Sequence, residues 1–213
     1  MDKNKIRRML VMMTGLIIMG LGIAVFKISL MGNDPCTAMM MAVGDKVDLS
    51  LPVIMIVVNS IYFLAEVIWG RHYIGIGTFA NWFGVGTIAS IWLMWLERYF
   101  VMPQTFSFRF SLMLTGILIL SLAASMYQTP DLGIAPYDVI SIILAEKCSV
   151  PYLVCRIFTD SVCALSAYLL GGLIGLGTFA CAVGLGPFIA FFNHYVSEKL
   201  CGAAQGSKIS AKI

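Results

Sequence analysis

Apolar residues run along this chain in long blocks, and polar residues gather in the gaps between them. The blocks lie at residues 9–30, 51–69, 74–96, 110–127, 150–170 and 173–192. A helix rises about 1.5 Å per residue, so about twenty apolar residues are needed to cross the hydrocarbon core of a bilayer. Each block approaches that length. The pattern predicts an all-α integral membrane protein with about six transmembrane helices.

The first block follows Lys3, Lys5, Arg7 and Arg8, which is the layout of a secretory signal peptide. No small-residue cleavage site follows it, and a second copy of the segment occurs later, so it is read as a retained helix. Orientation follows from the Lys/Arg bias of short loops. With the N-terminus cytoplasmic, that side holds the four N-terminal cations plus Arg71, Lys147, Lys199, Lys208 and Lys212, and the other side holds Lys46, Arg98 and Arg109. Both termini are therefore expected inside, although Arg98 and Arg109 pull the other way.

The chain resembles itself at an offset of about one hundred residues. Thr14-Gly15 returns as Thr115-Gly116, Gly32-x-x-Pro35 as Gly133-x-x-Pro136, and Pro52 as Pro151. The stretch Gly75-Ile-Gly77-Thr78-Phe79-Ala80 returns as Gly175-Leu-Gly177-Thr178-Phe179-Ala180, and Gly84-x-Gly86 as Gly184-x-Gly186. Each copy holds three blocks, and an odd number makes the second copy enter the membrane from the opposite face. The expected architecture is two inverted three-helix repeats about a pseudo-two-fold axis in the membrane plane, as in many secondary transporters. The alternative is a duplication that built only a compact bundle. The expected organisation is a cytoplasmic N-terminus at 1–8, one membrane repeat at 9–100, a second at 101–200, and a cytoplasmic tail at 201–213 read as disordered.

Between the first and second blocks of each copy lies a segment too polar to span and too long for a turn. Pro35, with Asp34 as candidate N-cap, and Gly133 with Pro136 mark the starts of two short helices. About ten residues cover roughly half the hydrocarbon thickness. Such a helix lies along the interface or dips in and returns. If it dips, its N-terminal amides would attract an anion or another polar ligand.

Composition agrees with the membrane reading. Apolar residues make up 60%, charged residues 12%, and mean hydropathy is +0.91, where a soluble domain carries about 25% charge. The net charge of +3, with no basic run interleaved with aromatics, gives no reason to expect a nucleic-acid partner. Six cysteines form no C-x-x-C, and His72 and His194 stand alone, so neither a metal site nor any other cofactor is expected. No H-E-x-x-H or nucleophile motif points to an enzyme. The Gly-x-Gly-Thr stretches lack the Lys of a phosphate loop. Gly75, Gly77, Gly84, Gly175, Gly177 and Gly184 are instead read as helix-packing positions, where small residues let helices approach.

Ionisable residues inside apolar blocks are the best functional pointers, since each costs roughly 2.5–3.5 kcal/mol on insertion scales. Arg156 and Asp160 are four apart and share a helix face. Arg156 lies near the start of its block and could snorkel to the interface. Asn59, with Ser60, stands near the corresponding place in the first copy. Glu66 and Asn81 add polar groups, and Asp138 lies just inside the second short helix. Arg156, Asp160, Asn59, Asn81 and Asp138 form the candidate solute or ion site. A buried pair that only fixes helix register is the structural alternative.

At these motifs the chain resembles the YczE-type membrane proteins of the wider YitT/YczE grouping. The resemblance is carried by Gly32-Asn-Asp-Pro35, Gly75-Ile-Gly-Thr78 with Asn81, Gly133-Ile-Ala-Pro-Tyr-Asp138, Arg156-x-x-x-Asp160, and Gly175-Leu-Gly-Thr178 through Gly186-Pro187. Family members often carry an aromatic-Asp pair where this chain has Cys36-Thr37, and Glu where Asp160 stands. The resemblance implies a bacterial plasma-membrane location and a transporter-like role, and it supplies no substrate. Two functions are expected to compete: a transporter for a small solute, and a membrane accessory or assembly protein without transport.

Overall fold

The computed structural model describes residues 3–100 and 105–202. Among these residues the chain is helical, with turns between helices and no strand. The helices are α1 (Lys3–Ile28), α2 (Pro35–Val47), α3 (Leu51–Trp69), α4 (Ile76–Tyr99), α5 (Phe106–Gln128), α6 (Pro136–Cys148), α7 (Tyr152–Leu169) and α8 (Leu176–Phe192). A 3-10 turn at Arg71–Tyr73 precedes α4, and α8 continues through a π-helical turn (Asn193–Ser197) and a last turn, α9 (Glu198–Cys201). Six helices (α1, α3, α4, α5, α7, and α8 with its continuation) are long and apolar enough to cross a membrane. The helices overrun the apolar blocks at both ends of the chain, because cationic and polar residues such as Arg7 and Asn193 continue a helix without counting toward hydropathy. Cys201 is buried in the last turn, not part of a free tail. The rest of the expected tail, including Lys208 and Lys212, lies outside the described residues.

Polarity is arranged inside out. Ile61, Leu64 and Ile68 of α3 and Leu165 and Leu169 of α7 are exposed, whereas Asn59, Glu66, Asn81 and Asp160 are buried. A water-soluble surface would reverse this distribution. An apolar exterior around a polar interior is what a lipid solvent selects.

The two short helices begin inside the bundle. Proline at the first position of each has the dihedral a helix needs and lacks an amide that would go unpaired. The Asp34 Oδ2 accepts the Thr37 amide at 3.0 Å, a side-chain cap. Each helix closes on a left-handed residue, Asp48 (φ +55°) and Ser149 (φ +54°). Thirteen residues each give a length of about 20 Å, too short to cross. The C-terminal part of α2 lines a cleft with Lys27 of α1, Leu30 just beyond that helix, Ser50, and Gly172. The end of α6 lies at the opposite end of the bundle, where Lys147 sits over the Trp69 ring and the Tyr73 hydroxyl donates to Glu146. From these separate ends the two helices run inward and their N-termini meet at one central cavity.

Sequence similarity between the halves is matched by conformation and contact. Leu30 and Asp131 share a positive φ of +56° and +53°, and Gly32 and Gly133 share +111° and +117°. The Gly77 amide donates to the Leu132 carbonyl at 2.8 Å, and the Gly177 amide to the Met31 carbonyl at 2.9 Å. A Cβ on Gly75 would stand 2.2 Å from the Leu132 oxygen, and one on Gly175 2.2 Å from the Met31 oxygen. At the crossing of α1 and α5, Gly15 lies against the Tyr127 backbone and Gly116 against Phe26. Each half thus touches the other through matching glycine contacts and backbone bonds.

Gly84 and Gly184 do not take part in this packing. A Cβ on either would meet only a side chain one turn along its own helix, Ile88 at 3.9 Å or Phe188 at 4.0 Å. Seven residues return them to roughly the face of Gly77 and Gly177, but no neighbouring helix reaches them there. Gly86 packs instead, against Pro52 and Met55.

The N-terminal and C-terminal helices share one end of the bundle. The Arg7 guanidinium donates to the Leu200 carbonyl at 2.6 Å and the Lys199 carbonyl at 2.9 Å, and Arg8 donates to the Pro130 carbonyl. The Ile134 amide bonds to the Tyr73 carbonyl at 3.1 Å, which brings the α3–α4 turn with Arg71 to the same end.

Candidate functional site

A cavity of about 110 Å³ lies between the halves, several times the volume a water needs. The first half lines it with Asp34, Thr37, Asn59 and Asn81. The second lines it with Gln128, Tyr137, Asp138 and Arg156. Apolar side chains such as Met19, Ile23 and Leu120 fill the remaining wall, the usual makeup of a small-molecule site.

Arg156 organises the polar wall. Its guanidinium pairs closely with Asp138 of α6, and its Nε lies 3.4 Å from the Asp160 carboxylate on its own helix. It also stacks 5.1 Å from the centre of the Tyr137 ring, whose hydroxyl donates to Asp160. Side-chain exposures of 16% for Arg156, 14% for Asp138 and 2% for Asp160 place the pair within the protein. Arg156 therefore turns inward and does not snorkel. Of the five candidate residues, Asn59, Asn81, Asp138 and Arg156 share the cavity wall, and Asp160 stands behind Arg156, holding it.

Both short-helix N-termini already carry their own carboxylates. Asp34 caps α2 through Oδ2, and Asp138 lies in the first turn of α6. The positive ends of these helices are thereby answered within the chain. Two acceptor oxygens associated with the cavity wall, Asp34 Oδ1 and Gln128 Oε1, have no hydrogen-bond partner among the described residues. The Gln128 amide is oriented by its Nε2, which reaches Asp138 at 3.4 Å, so its free atom is the acceptor.

The site is asymmetric although the contacts around it recur in both halves. Gly70 lies against Val139, Ile143 and the Glu66 carbonyl, as Gly172 lies against Ala42, Ala38 and the Ala167 carbonyl. This register sets Met55 opposite Arg156, Asn59 opposite Asp160, and Cys36-Thr37 opposite Tyr137-Asp138. The guanidinium and its two carboxylates thus come from one half alone. Sequence reasoning missed Thr37, Gln128 and Tyr137 as lining residues. Tyr137 had a signal in its place beside Asp138 within the repeated motif. Gln128, at the end of an apolar block, had none.

The comparisons with known proteins bear on the whole of this architecture. An uncharacterized protein of Haemophilus influenzae is 22% identical over 190 residues, covering 88% of this chain and 84% of its own. No solved structure matches. A family of unknown function, DUF6198, matches residues 6–194, which take in both halves and every residue of the cavity wall, and the chain belongs to that family.

Proposed function

We propose that the protein is a membrane transporter for a small, positively charged, hydrogen-bond-donating solute. The observation that carries this reading is the cavity between the two halves, where the starts of both short helices converge. Asp34 and Asp138 against Arg156 leave the wall with a negative formal charge, and Asp160 behind it adds another. The partnerless oxygens there are acceptors. Buried acceptors without donors are unfavourable, so a small ammonium or amine suits this wall better than the anion that free helix N-termini would have attracted. The volume fits a solute of a few heavy atoms.

In this reading the two halves thread the bilayer in opposite senses, and rocking one against the other opens the cavity to each side in turn. The protein then lies in a bacterial plasma membrane with both termini cytoplasmic. The resemblance to YczE-type proteins, carried by the same motifs, accords with this role. A polar cavity shared by both halves favours transport over an accessory role.

The test is uptake into proteoliposomes of labelled methylammonium against a small carboxylate such as acetate. Methylammonium is expected to be taken up, and acetate is not. Asp138→Asn and Asp160→Asn should each lower that uptake at least tenfold while the protein stays folded, and Gly84→Ala should leave it unchanged. Uptake of neither solute, or uptake indifferent to Asp138 and Asp160, would sink the reading.

A further inference from the structure

Glu66 lies on α3, one turn before its end, apart from the lining of the cavity. Its side chain is 0% exposed, and neither carboxyl oxygen has a hydrogen-bond partner among the described residues. Tyr127, near the end of α5, is also 0% exposed, with a partnerless hydroxyl.

The pseudo-symmetry shows that packing does not require either polar group. In the register set by Gly70 and Gly172, Glu66 takes the place of Ala167. In the crossing of α1 and α5, Tyr127 takes the place of Phe26. Ala167 and Phe26 are 0% exposed too. Glu66 and Phe26 fill these slots in the first half, and Ala167 and Tyr127 in the second, so each slot holds a polar group in one half and an apolar one in the other.

Nor does a described cation pair with Glu66. From the adjoining turn, Arg71 donates to the Val67 carbonyl and is exposed, and the His72 ring lies at a tilt against Tyr73. From α6, Lys147 sits over Trp69, Glu146 accepts from Tyr73, and Asp138 holds Arg156. From α2, Asp45 and Lys46 lie beside the start of α3, and from α4, Glu97 and Arg98 lie at the far end of their helix. An ionised carboxylate buried without partners costs several kcal/mol or more, and the group avoids the penalty by taking up a proton.

We propose that Glu66 is a proton-binding site, a carboxyl that carries one proton in this packed arrangement and releases it when the bundle opens Glu66 to water. Gly70 lies against both the Glu66 carbonyl and Val139, the neighbour of the cavity's Asp138, so a charge appearing at Glu66 acts on the cavity wall through a short stretch of apolar protein. On the transport reading, which this last step rests on, that link couples solute movement to a proton gradient.

Dicyclohexylcarbodiimide, to which a protonated carboxyl in apolar surroundings adds to form a stable N-acylurea, tests the site on the full chain in liposomes. Mass spectrometry is expected to find an adduct on Glu66 that forms more slowly as pH rises and is absent from Glu66→Gln. The infrared spectrum of Glu66→Gln should lack a protonated-carboxyl band present in the wild type, while its melting temperature stays unchanged. An unlabelled Glu66, a spectrum indifferent to the substitution, or a Glu66→Gln protein that fails to fold overturns the assignment. These readouts need no solute, so their failure leaves the uptake measurement standing, and a failed uptake measurement leaves them standing.

Discussion

At the scale of single residues, the polar wall depends on one cation shared by two acids. Replacing Arg156 strands Asp138 and Asp160 together in an apolar setting, and removing one partner of a buried ion pair costs about 3–5 kcal/mol. Arg156→Met is therefore expected to lower stability in detergent steeply, read as loss of the cooperative melting transition at the wild-type temperature. The triple variant Arg156→Met, Asp138→Asn, Asp160→Asn should recover much of that stability, because no stranded charge remains. If the single and triple variants melt alike, the pair is not what holds α6 against α7.

At the scale of elements, the turns leading into α4 and α8 decide whether the halves join. Gly75 and Gly175 each face a carbonyl oxygen of the other half, and a Cβ there would stand 2.2 Å away. That atom belongs to backbone, so it cannot step aside as a flexible side chain would. Gly75→Ala and Gly175→Ala should each abolish a monodisperse peak in size-exclusion chromatography, whereas Gly84→Ala and Gly184→Ala keep it. Sequence reasoning could not separate these glycines, since all six sit in the same repeated pattern and only the position of the neighbouring helix distinguishes them. The spans and short helices were legible, because apolar length and a proline at the first helical position act locally. The link between Asp138 and Arg156 was not. It joins two helices across a turn, and no periodicity within one element reports such a contact. Asp160 was legible as Arg156's partner because four residues on one helix is a fixed geometry.

At the scale of the whole molecule, the shared end formed by Arg7, Lys199, Leu200 and the α3–α4 turn makes the threading measurable. In chains stripped of native cysteines, Arg71→Cys and Lys199→Cys should react with a membrane-impermeant maleimide from one side, and Lys46→Cys and Arg98→Cys from the other. Labelling of positions 71 and 199 from opposite sides would remove the antiparallel arrangement and the alternating-access reading with it. The paired bonds from Gly77 to Leu132 and from Gly177 to Met31 also bear on how the chain is made. When synthesis has passed only Phe100, the Gly77 amide and the Met31 carbonyl have no counterpart, and in hydrocarbon such orphans are expensive. The nascent first half is thus an unfinished clasp, and those two orphans are expected to leave it open to proteolysis until the second half is made.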